Sequence, residues 1–235
     1  MALNLLMLGP PGAGKGTQSE RFARTRGIPK ISTGEILREA VQAETEIGRR
    51  AKAIMDRGEL VSDEVMIGIV RERLERDDVR DGFILDGFPR TVAQASALDG
   101  IMASRDPLIV IDIVVPEAEL VQRLSTRLIC ETCGANAPIG DGVASATCAR
   151  CGGKLVQRAD DNDAVVRERL KVYHRQSEPL VEYYRVRPTF RSVDGAQPPD
   201  RVAADLAAAI EAAGAGAAKG VPAVLPKSAR HGVQP

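Results

Sequence analysis

The strongest constraint on the fold is a glycine-rich segment near the N-terminus that runs from Gly9 to Thr17. An apolar run from Leu3 to Leu8 precedes it and predicts a buried strand, and the residues after it, Gln18 to Ala23, predict the start of a helix. Strand, glycine-rich turn and helix form the context of a phosphate-binding P-loop. Glycines let backbone N–H groups point at an anion, and the helix N-terminus adds the positive end of its dipole. Lys15 supplies a mobile positive charge for the terminal phosphates of a nucleotide.

The details of this segment separate it from related patterns. G-x-x-x-x-G-K is met from Gly9 to Lys15, but Gly16 stands where Ser or Thr usually follows, and Thr17 comes one place late. Any contact of Thr17 to Mg²⁺ is therefore expected to be indirect. A glycine-rich turn with a surface lysine is the simpler alternative, and the G-x-G-x-x-G pattern of dinucleotide sites does not fit. The predicted phosphate-binding residues are Gly12, Ala13, Gly14, Lys15, Gly16 and Thr17.

Length and charge limit the classes of protein to consider. The 235 residues suit one moderate domain with small insertions, and the formal net charge is zero. Bulk electrostatics therefore gives no support for a nucleic-acid or membrane partner. The N-terminal apolar run is too short for a signal peptide or a membrane span, so a cytoplasmic location is expected.

Strand and helix signals alternate along the chain, which predicts an α/β fold: a P-loop NTPase-type parallel sheet with helices on both faces. Predicted strands cover 3–8, 28–31, 82–86, 108–115 and 188–194. Ser32 and Glu35 form a capping-box pattern, which predicts that a helical region begins here, breaks at Gly48 and ends at Gly58.

Further helices are predicted from the apolar spacing of the later segments. One begins at Ser62, and another begins with Pro116 as its first residue and directs Leu120, Leu124 and Leu128 to the core. A long helix is expected over 163–187 with a bend near Pro179, and a final one over 200–212. Residues 214–235 are rich in Ala, Gly and Pro without periodicity, and they are expected to be mostly disordered.

The cysteines form a compact metal-binding pattern. Two C-x-x-C knuckles, Cys130 with Cys133 and Cys148 with Cys151, are separated by fourteen residues. Four thiolates at this spacing favour a closed structural Zn²⁺ site, with a redox pair and two disulfides as alternatives. Zinc ribbons also bind nucleic acid, but residues 126–161 carry four basic and four acidic side chains, which gives that function little electrostatic support.

Several segments in chain order resemble one enzyme family. The segments are Gly9–Thr17, Ile31–Arg38, Leu85–Arg90 followed by Gln94, Arg123 with Arg127 before the first knuckle, and Arg158–Asp161 with Arg169 after the second. On these motifs the chain resembles the bacterial adenylate kinases of the long-lid, zinc-containing kind. The resemblance extends from residue 1 to about residue 212, and the tail beyond departs from it.

The resemblance implies a division into three parts. A core P-loop domain would comprise 1–31, 62–126 and 162–213, a helical insertion for the nucleoside monophosphate (NMP) 32–61, and a small zinc-binding lid 127–161. It implies ATP contacts at the P-loop, Arg123, Arg127 and the backbone of Gln197. The AMP contacts that it implies are Thr33, Arg38, Glu59, Leu60, Val61, Gly87, Phe88, Pro89, Arg90, Gln94, Arg158 and Arg169.

The implied reaction is Mg²⁺-dependent phosphoryl transfer, ATP + AMP = 2 ADP, by a monomer. Its catalytic cations would be Lys15, Arg90, Arg127, Arg158 and Arg169, since guanidinium groups bind phosphate oxygens bidentately. Asp86 would orient Mg²⁺ through water, although a strand-end carboxylate can equally cap the next turn. Other nucleoside monophosphate kinases, such as a GTP-AMP phosphotransferase or a UMP/CMP kinase, and a non-catalytic P-loop protein remain alternatives.

Overall fold

The computed structural model describes residues 2–137 and 147–217. Its main sheet contains the strands β1 (Leu3–Leu8), β2 (Lys30–Ser32), β3 (Gly82–Asp86), β4 (Leu108–Val114) and β7 (Phe190–Asp194). These pair in parallel in the order β2-β3-β1-β4-β7. The glycine-rich segment therefore leaves the middle strand at the carboxyl edge of the sheet, where ligands of open α/β sheets bind.

Helices cover both faces of the sheet, which confirms the predicted fold class. Along the described part of the chain they are α1 (Lys15–Arg26), α2 (Thr33–Gln42), α3 (Glu46–Asp56), α4 (Asp63–Leu74), α5 (Val92–Met102), α6 (Glu117–Ser125), α7 (Asp163–Val172), α8 (Pro179–Arg185) and α9 (Pro199–Ala217). Alternate residues of β1 separate two cores: Leu5 and Met7 pack under α1, α6, α7 and α9, and Leu6 and Leu8 pack against α4, α5 and α8. No helix among the described residues is both long and apolar enough to cross a membrane.

The helical region after β2 differs from its prediction at the break. Helices α2 and α3 are separated at residues 43–45, where Glu44 has a φ of 51°, and Gly48 lies inside α3. A Cβ atom at Gly48 would lie 2.0 Å from the carbonyl oxygen of Ala40 in α2, so this glycine permits the two helices to touch. The predicted break at Gly48 was therefore wrong, whereas the predicted end at Gly58, with a φ of 75°, is confirmed.

The later helices also begin and end differently from the prediction. Pro116 is the N-cap of α6 rather than its first residue, and α6 ends at Ser125. Leu128 therefore does not belong to the helical stripe; it begins β5 (Leu128–Cys130), which pairs antiparallel with β6 (Leu155–Gln157) at the base of the segment that carries the cysteine knuckles. Residues 214–217 continue α9, so the prediction of disorder was wrong there; the rest of the tail, 218–235, lies outside the described residues.

A π-helical turn, Tyr173–Ser177, separates α7 from α8 and accounts for the bend expected near Pro179. The N–H of Glu178 donates to the carbonyl of Tyr173 at 2.9 Å, which is the i to i−5 bond of that geometry. The hydroxyl of Ser177 donates to the carbonyl of Arg90 at 2.9 Å. The turn therefore connects the helix that carries Arg169 to the loop after β3.

Candidate active site

The P-loop takes a conformation that its glycines permit. Gly9, Gly12 and Gly14 have φ values of 132°, 87° and 93°. A Cβ atom at Gly12 would lie 3.1 Å from both the carbonyl oxygen of Leu120 and the Cγ of Leu124, so the loop also needs glycine there for its close approach to α6. The ammonium group of Lys15 donates to the carbonyls of Gly9 and Pro10 at 2.7 and 2.8 Å and so lies along the loop.

The electrostatic environment of Lys15 is unusual for a lysine. Burial lowers its pKa to about 8, the nearby carboxylate of Asp86 acts in the opposite direction, and the charges of Arg90, Arg169 and Arg127 lower the pKa further. The loop lysine therefore lies in a region of excess positive charge.

Three arginines, two of which flank the cysteine knuckles while the third lies on α7, share two carboxylates. Arg127 makes a bidentate ion pair with Asp161, with Nε–Oδ2 and Nη2–Oδ1 distances of 2.7 and 2.5 Å. Arg158 makes the same kind of pair with Asp160, at 2.9 and 2.6 Å. Arg169 lies 2.8 Å from Asp161 Oδ1 and 3.3 Å from Asp160 Oδ2. The two carboxylates thus hold the three guanidinium groups together.

Two further arginines lie close enough to this group for the charges of Arg158 and Asp160 to act on them. Arg90 donates through Nε to the carbonyl of Gly87 at 2.8 Å, and burial lowers its pKa. Burial, followed by the charge of Arg158, lowers the pKa of Arg38 to about 10. Within residues 2–137 and 147–217, no hydrogen bond or ion pair involves the Arg38 guanidinium. Like charges placed this close need a negatively charged partner, which is the property of a phosphate site.

Some of the residues predicted to bind AMP lie beside Arg90, where its Nε and the hydroxyl of Thr33 both donate to the carbonyl of Gly87. Thr33 donates to the carbonyl of Gly87 at 2.8 Å, and Phe88 is 1% exposed. Pro89 is buried as well, and Leu60 and Val61 are partly buried. Glu59 is occupied differently, since its carboxylate pairs with Arg57 at the surface, at 2.7 and 3.0 Å. Its side chain therefore contributes no charge to the arginine cluster.

Gln94 is almost fully buried, at 1% exposure, and its amide is fixed at both atoms. The N–H of Arg90 donates to Oε1 at 2.7 Å, and Nε2 donates to Asp63 Oδ1 at 2.8 Å. Asp63 was not among the predicted site residues. Its position at the start of α4 gave no signal beyond that of an ordinary helix N-terminus.

Arg123 and Gln197 lie at a second position, beside the loop after β7. Arg123 donates to the carbonyl of Gly195 at 2.9 Å and to Glu119 at 3.0 Å. The side chain of Gln197 donates to Asp205 and to the carbonyl of Asp194, at 2.9 and 3.1 Å. No hydrogen bond or ion pair among the described residues joins either side chain to the arginine cluster.

The carboxylate that ends β3 lies at the P-loop. A Cβ atom at Gly16 would be 3.4 Å from Asp86 Oδ2 and 3.7 Å from Asn136 Nδ2. Asp86 is thus beside the position where the usual Ser or Thr would stand. Asn136 reaches the same point from the segment after the first cysteine knuckle, and the sequence analysis missed it because an asparagine there carries no motif.

The four cysteines meet the requirements of a tetrahedral thiolate site. The Sγ atoms of Cys130, Cys133, Cys148 and Cys151 all lie within 4.8 Å of one another. Two of the separations are 3.4 Å (Cys130–Cys151) and 3.7 Å (Cys133–Cys148). Zinc–sulfur bonds of about 2.3 Å in a tetrahedron place sulfurs about 3.8 Å apart, so the arrangement fits a zinc ion.

Comparisons with known proteins identify the family of this chain. The family model described as adenylate kinase matches residues 7–189. The chain belongs to the adenylate kinase family. This confirms the resemblance found in the motifs, and the parallel sheet with helices on both faces agrees with it.

Individual relatives match over nearly their whole lengths. An adenylate kinase of Archaeoglobus fulgidus is 50% identical over 216 residues, which cover 89% of this chain and 98% of that protein. An adenylate kinase of a Geobacillus species is 50% identical over 212 residues, 87% of this chain and 96% of that protein. One from Staphylococcus epidermidis is 48% identical over 212 residues, with 87% and 97% covered.

Proposed function

We propose that the protein is a nucleoside monophosphate kinase that catalyses reversible, Mg²⁺-dependent phosphoryl transfer, ATP + AMP = 2 ADP. The observation that carries this proposal is the charge balance of the site. Six cationic side chains lie together here. Burial, with the charges of neighbouring arginines, lowers the pKa of Lys15, Arg38, Arg90 and Arg169. Arg127 and Arg158 share the carboxylates of Asp160 and Asp161 with Arg169. Asp86, Asp160 and Asp161 supply three opposing charges, and Glu35, which also acts on Arg38, is paired with Lys30. The phosphates of two nucleotides would balance the excess.

The proposed division of the site follows the two groups of residues. ATP would bind at Gly12–Thr17 and Arg127, with Arg123 and the backbone of Gln197 at its base. AMP would bind at Thr33, Arg38, Glu59–Val61, Gly87–Arg90 and Gln94. Arg158 and Arg169 would contact the phosphates between them. The core, NMP-binding and lid segments, with the bounds predicted above, would move relative to one another as the nucleotides bind.

Phosphoryl transfer of this kind needs positioning and charge more than covalent chemistry. The nucleophile would be a phosphate oxygen of AMP, which is already ionised at neutral pH, so no protein base is required. The arginines held by Asp160 and Asp161 can exchange those carboxylates for phosphate oxygens. This exchange keeps each guanidinium group paired in a water-excluded site, where such contacts are strongest.

Two metal ions belong to the proposal. Mg²⁺ bound with ATP would neutralise phosphate charge, and Asp86 beside Gly16 would orient it through water. Zn²⁺ held by the four cysteines would stiffen the lid and take no part in the chemistry, because four thiolates leave no open coordination position.

We further propose that the protein works in the cytoplasm as a monomer, with ATP, AMP and ADP as its ligands and without nucleic acid. Four cysteines arranged as a metal site suit a reducing compartment. The balanced charge of the lid segment supports the absence of a nucleic-acid partner.

The test is a coupled assay of ADP formation from ATP, Mg²⁺ and AMP, with GMP, CMP and UMP in parallel reactions. We expect fast ADP formation with AMP and a loss of at least a hundredfold in Arg90→Ala, since this change removes a partly buried cation from the proposed phosphate site. Arg187→Ala is the matched control, because that arginine pairs with Asp99 outside the site. If no monophosphate accepts the phosphate while ATP still binds, the proposal fails and a non-catalytic P-loop protein becomes the better description.

A further inference from the structure

The buried amide of Gln94 has a single orientation that its neighbours permit. A backbone N–H only donates and a carboxylate only accepts, so Arg90 N–H must face the amide oxygen and Asp63 must face the amide nitrogen. A half-turn of the amide would bring two donors together at Arg90 and two acceptors together at Asp63. The orientation therefore follows from the chemistry of the two partners.

Asp63 is itself held in place by the helix that carries Gln94. Its Oδ2 accepts from the hydroxyl of Thr91 at 2.9 Å, and that hydroxyl accepts from the N–H of Gln94 at 3.2 Å as the N-cap of α5. Both oxygens of the Asp63 carboxylate are thus engaged by residues at the start of α5. The closed ring of bonds joins the first residue of α4 to the loop that bears Arg90.

The fixed amide leaves a defined pattern for a ligand. Oε1 retains one lone pair and Nε2 retains one proton, and neither has a partner among the described residues. The amide therefore presents an acceptor, Oε1, and a donor, Nε2, at fixed positions that cannot be exchanged. The Watson–Crick edge of adenine presents its N6 amino group as donor and N1 as acceptor, which is complementary; guanine presents O6 and N1–H, which is the reverse.

We propose that Asp63 is a positioning residue that sets base preference, because it holds the Gln94 amide in the orientation that matches adenine and opposes guanine. The inference rests on the proposed function and deepens it by identifying what selects the acceptor nucleotide. Buried donors and acceptors left unpaired by the wrong base disfavour that base strongly, so a locked amide gives discrimination that a freely turning one does not.

The first test needs no mutation. With saturating MgATP, kcat/KM is measured for AMP, GMP and inosine monophosphate. Inosine monophosphate has the O6 and N1–H of guanine without its 2-amino group, so we expect it to be rejected about as strongly as GMP. Efficient use of inosine monophosphate would overturn the inference, because it would assign the rejection of GMP to the bulk of the amino group.

The second test removes one of the two contacts that fix the amide. Asn can donate or accept, so in Asp63→Asn only the N–H of Arg90 still favours the orientation that matches adenine; we expect the AMP-to-GMP ratio of kcat/KM to fall at least tenfold, mainly through KM, with KM for ATP unchanged. In the double variant Asp63→Asn with Gln94→Glu, only acceptors face the base, so preference is expected to move further toward GMP.

Asp99→Asn is the matched control. Asp99 lies on α5, the helix that carries Gln94, and accepts hydrogen bonds from Tyr183 and Arg187. We therefore expect this variant to lose stability without a change in the AMP-to-GMP ratio of kcat/KM. A folded Asp63→Asn with the wild-type ratio, or an equal change in Asp99→Asn, would overturn the inference. Absence of ADP formation from AMP in the wild-type protein is a different result, which refutes the proposed function itself.

Discussion

Replacing Gly48 by Ala sets a gain in helix propensity against a steric clash between α3 and α2. In a helix interior the change is favourable by about 1 kcal/mol through helix propensity. At this position, however, the added Cβ would lie 2.0 Å from the carbonyl oxygen of Ala40 and 2.6 Å from the backbone nitrogen of Val41. The N–H of Thr45 donates to that same carbonyl at 3.1 Å, which restrains it.

The size of the clash decides whether Gly48→Ala raises or lowers the free energy of unfolding. Ordinary contact begins near 3.4 Å, so α2 and α3 must separate by about 1.4 Å to admit the methyl group. Overpacking costs roughly 1–3 kcal/mol where side chains can yield, and here the obstructing atoms are backbone. We expect a net loss of about 2 kcal/mol in the free energy of unfolding, which corresponds to a Tm lower by roughly 5 °C.

The assay is urea and thermal unfolding, with KM for AMP and ATP measured on the same preparations. Gly68→Ala in α4 and Gly100→Ala in α5 are matched controls, because a Cβ at either position has no neighbour within 4 Å among the described residues. In both control variants we expect the free energy of unfolding to rise by about 0.5–1 kcal/mol. Gly48→Ala is also expected to raise KM for AMP more than KM for ATP. Stability equal to that of the controls would refute the reasoning from the close approach of α2 and α3.

Three further predictions concern charge and metal. Lys15 has a pKa of about 8 in the free protein, and a bound phosphate would raise that pKa, so ATP affinity should fall as the pH rises above about 8. At pH 9 the binding of ATP should therefore take up protons, which calorimetry in two buffers of different ionisation enthalpy detects. Equal heats in both buffers, or the same proton uptake in Lys15→Met, would contradict this prediction. Removal of zinc with a chelator should lower Tm by several degrees while kcat at low temperature changes little, and equal losses of both would show that the ion has more than a structural role. Arg123→Leu should raise KM for ATP several-fold and leave KM for AMP unchanged, because Arg123 holds the carbonyl of Gly195 beside the proposed adenine site; a change confined to AMP would place ATP elsewhere.

The parts of the fold that sequence predicted best are governed by local rules. Strands β1, β3 and β4 are continuous apolar runs because helices cover both of their faces, and such runs are recognisable without tertiary information. The P-loop and the cysteine knuckles are short patterns whose chemistry depends on close spacing. The arginines were identified through the family resemblance, and the structure brings five of them into one cluster.

The parts that sequence missed depend on contacts between distant segments. Gly48 suggested a helix break, but glycine stands at this position because α2 lies too close for a Cβ atom. The capping box formed only in part: the N–H of Glu35 donates to Ser32 at 3.4 Å, whereas the Glu35 carboxylate pairs with Lys30 at 2.6 Å. Neither Asp63 nor Asn136 carries a recognisable motif, since each matters only through what it meets in space.

The π-helical turn makes the length of this segment adjustable. Such a turn holds one residue more than the α-helix that it interrupts. Removing one residue of 173–177 would let the turn close as regular α-helix, so α7 and α8 would keep the faces that they present to the core. Leu180 and Tyr184, at 1% and 0% exposure, would stay buried, whereas the hydroxyl of Ser177 would lose its position opposite the carbonyl of Arg90. A single-residue deletion here should therefore leave a folded protein in which the link between α7 and the loop that bears Arg90 is weakened.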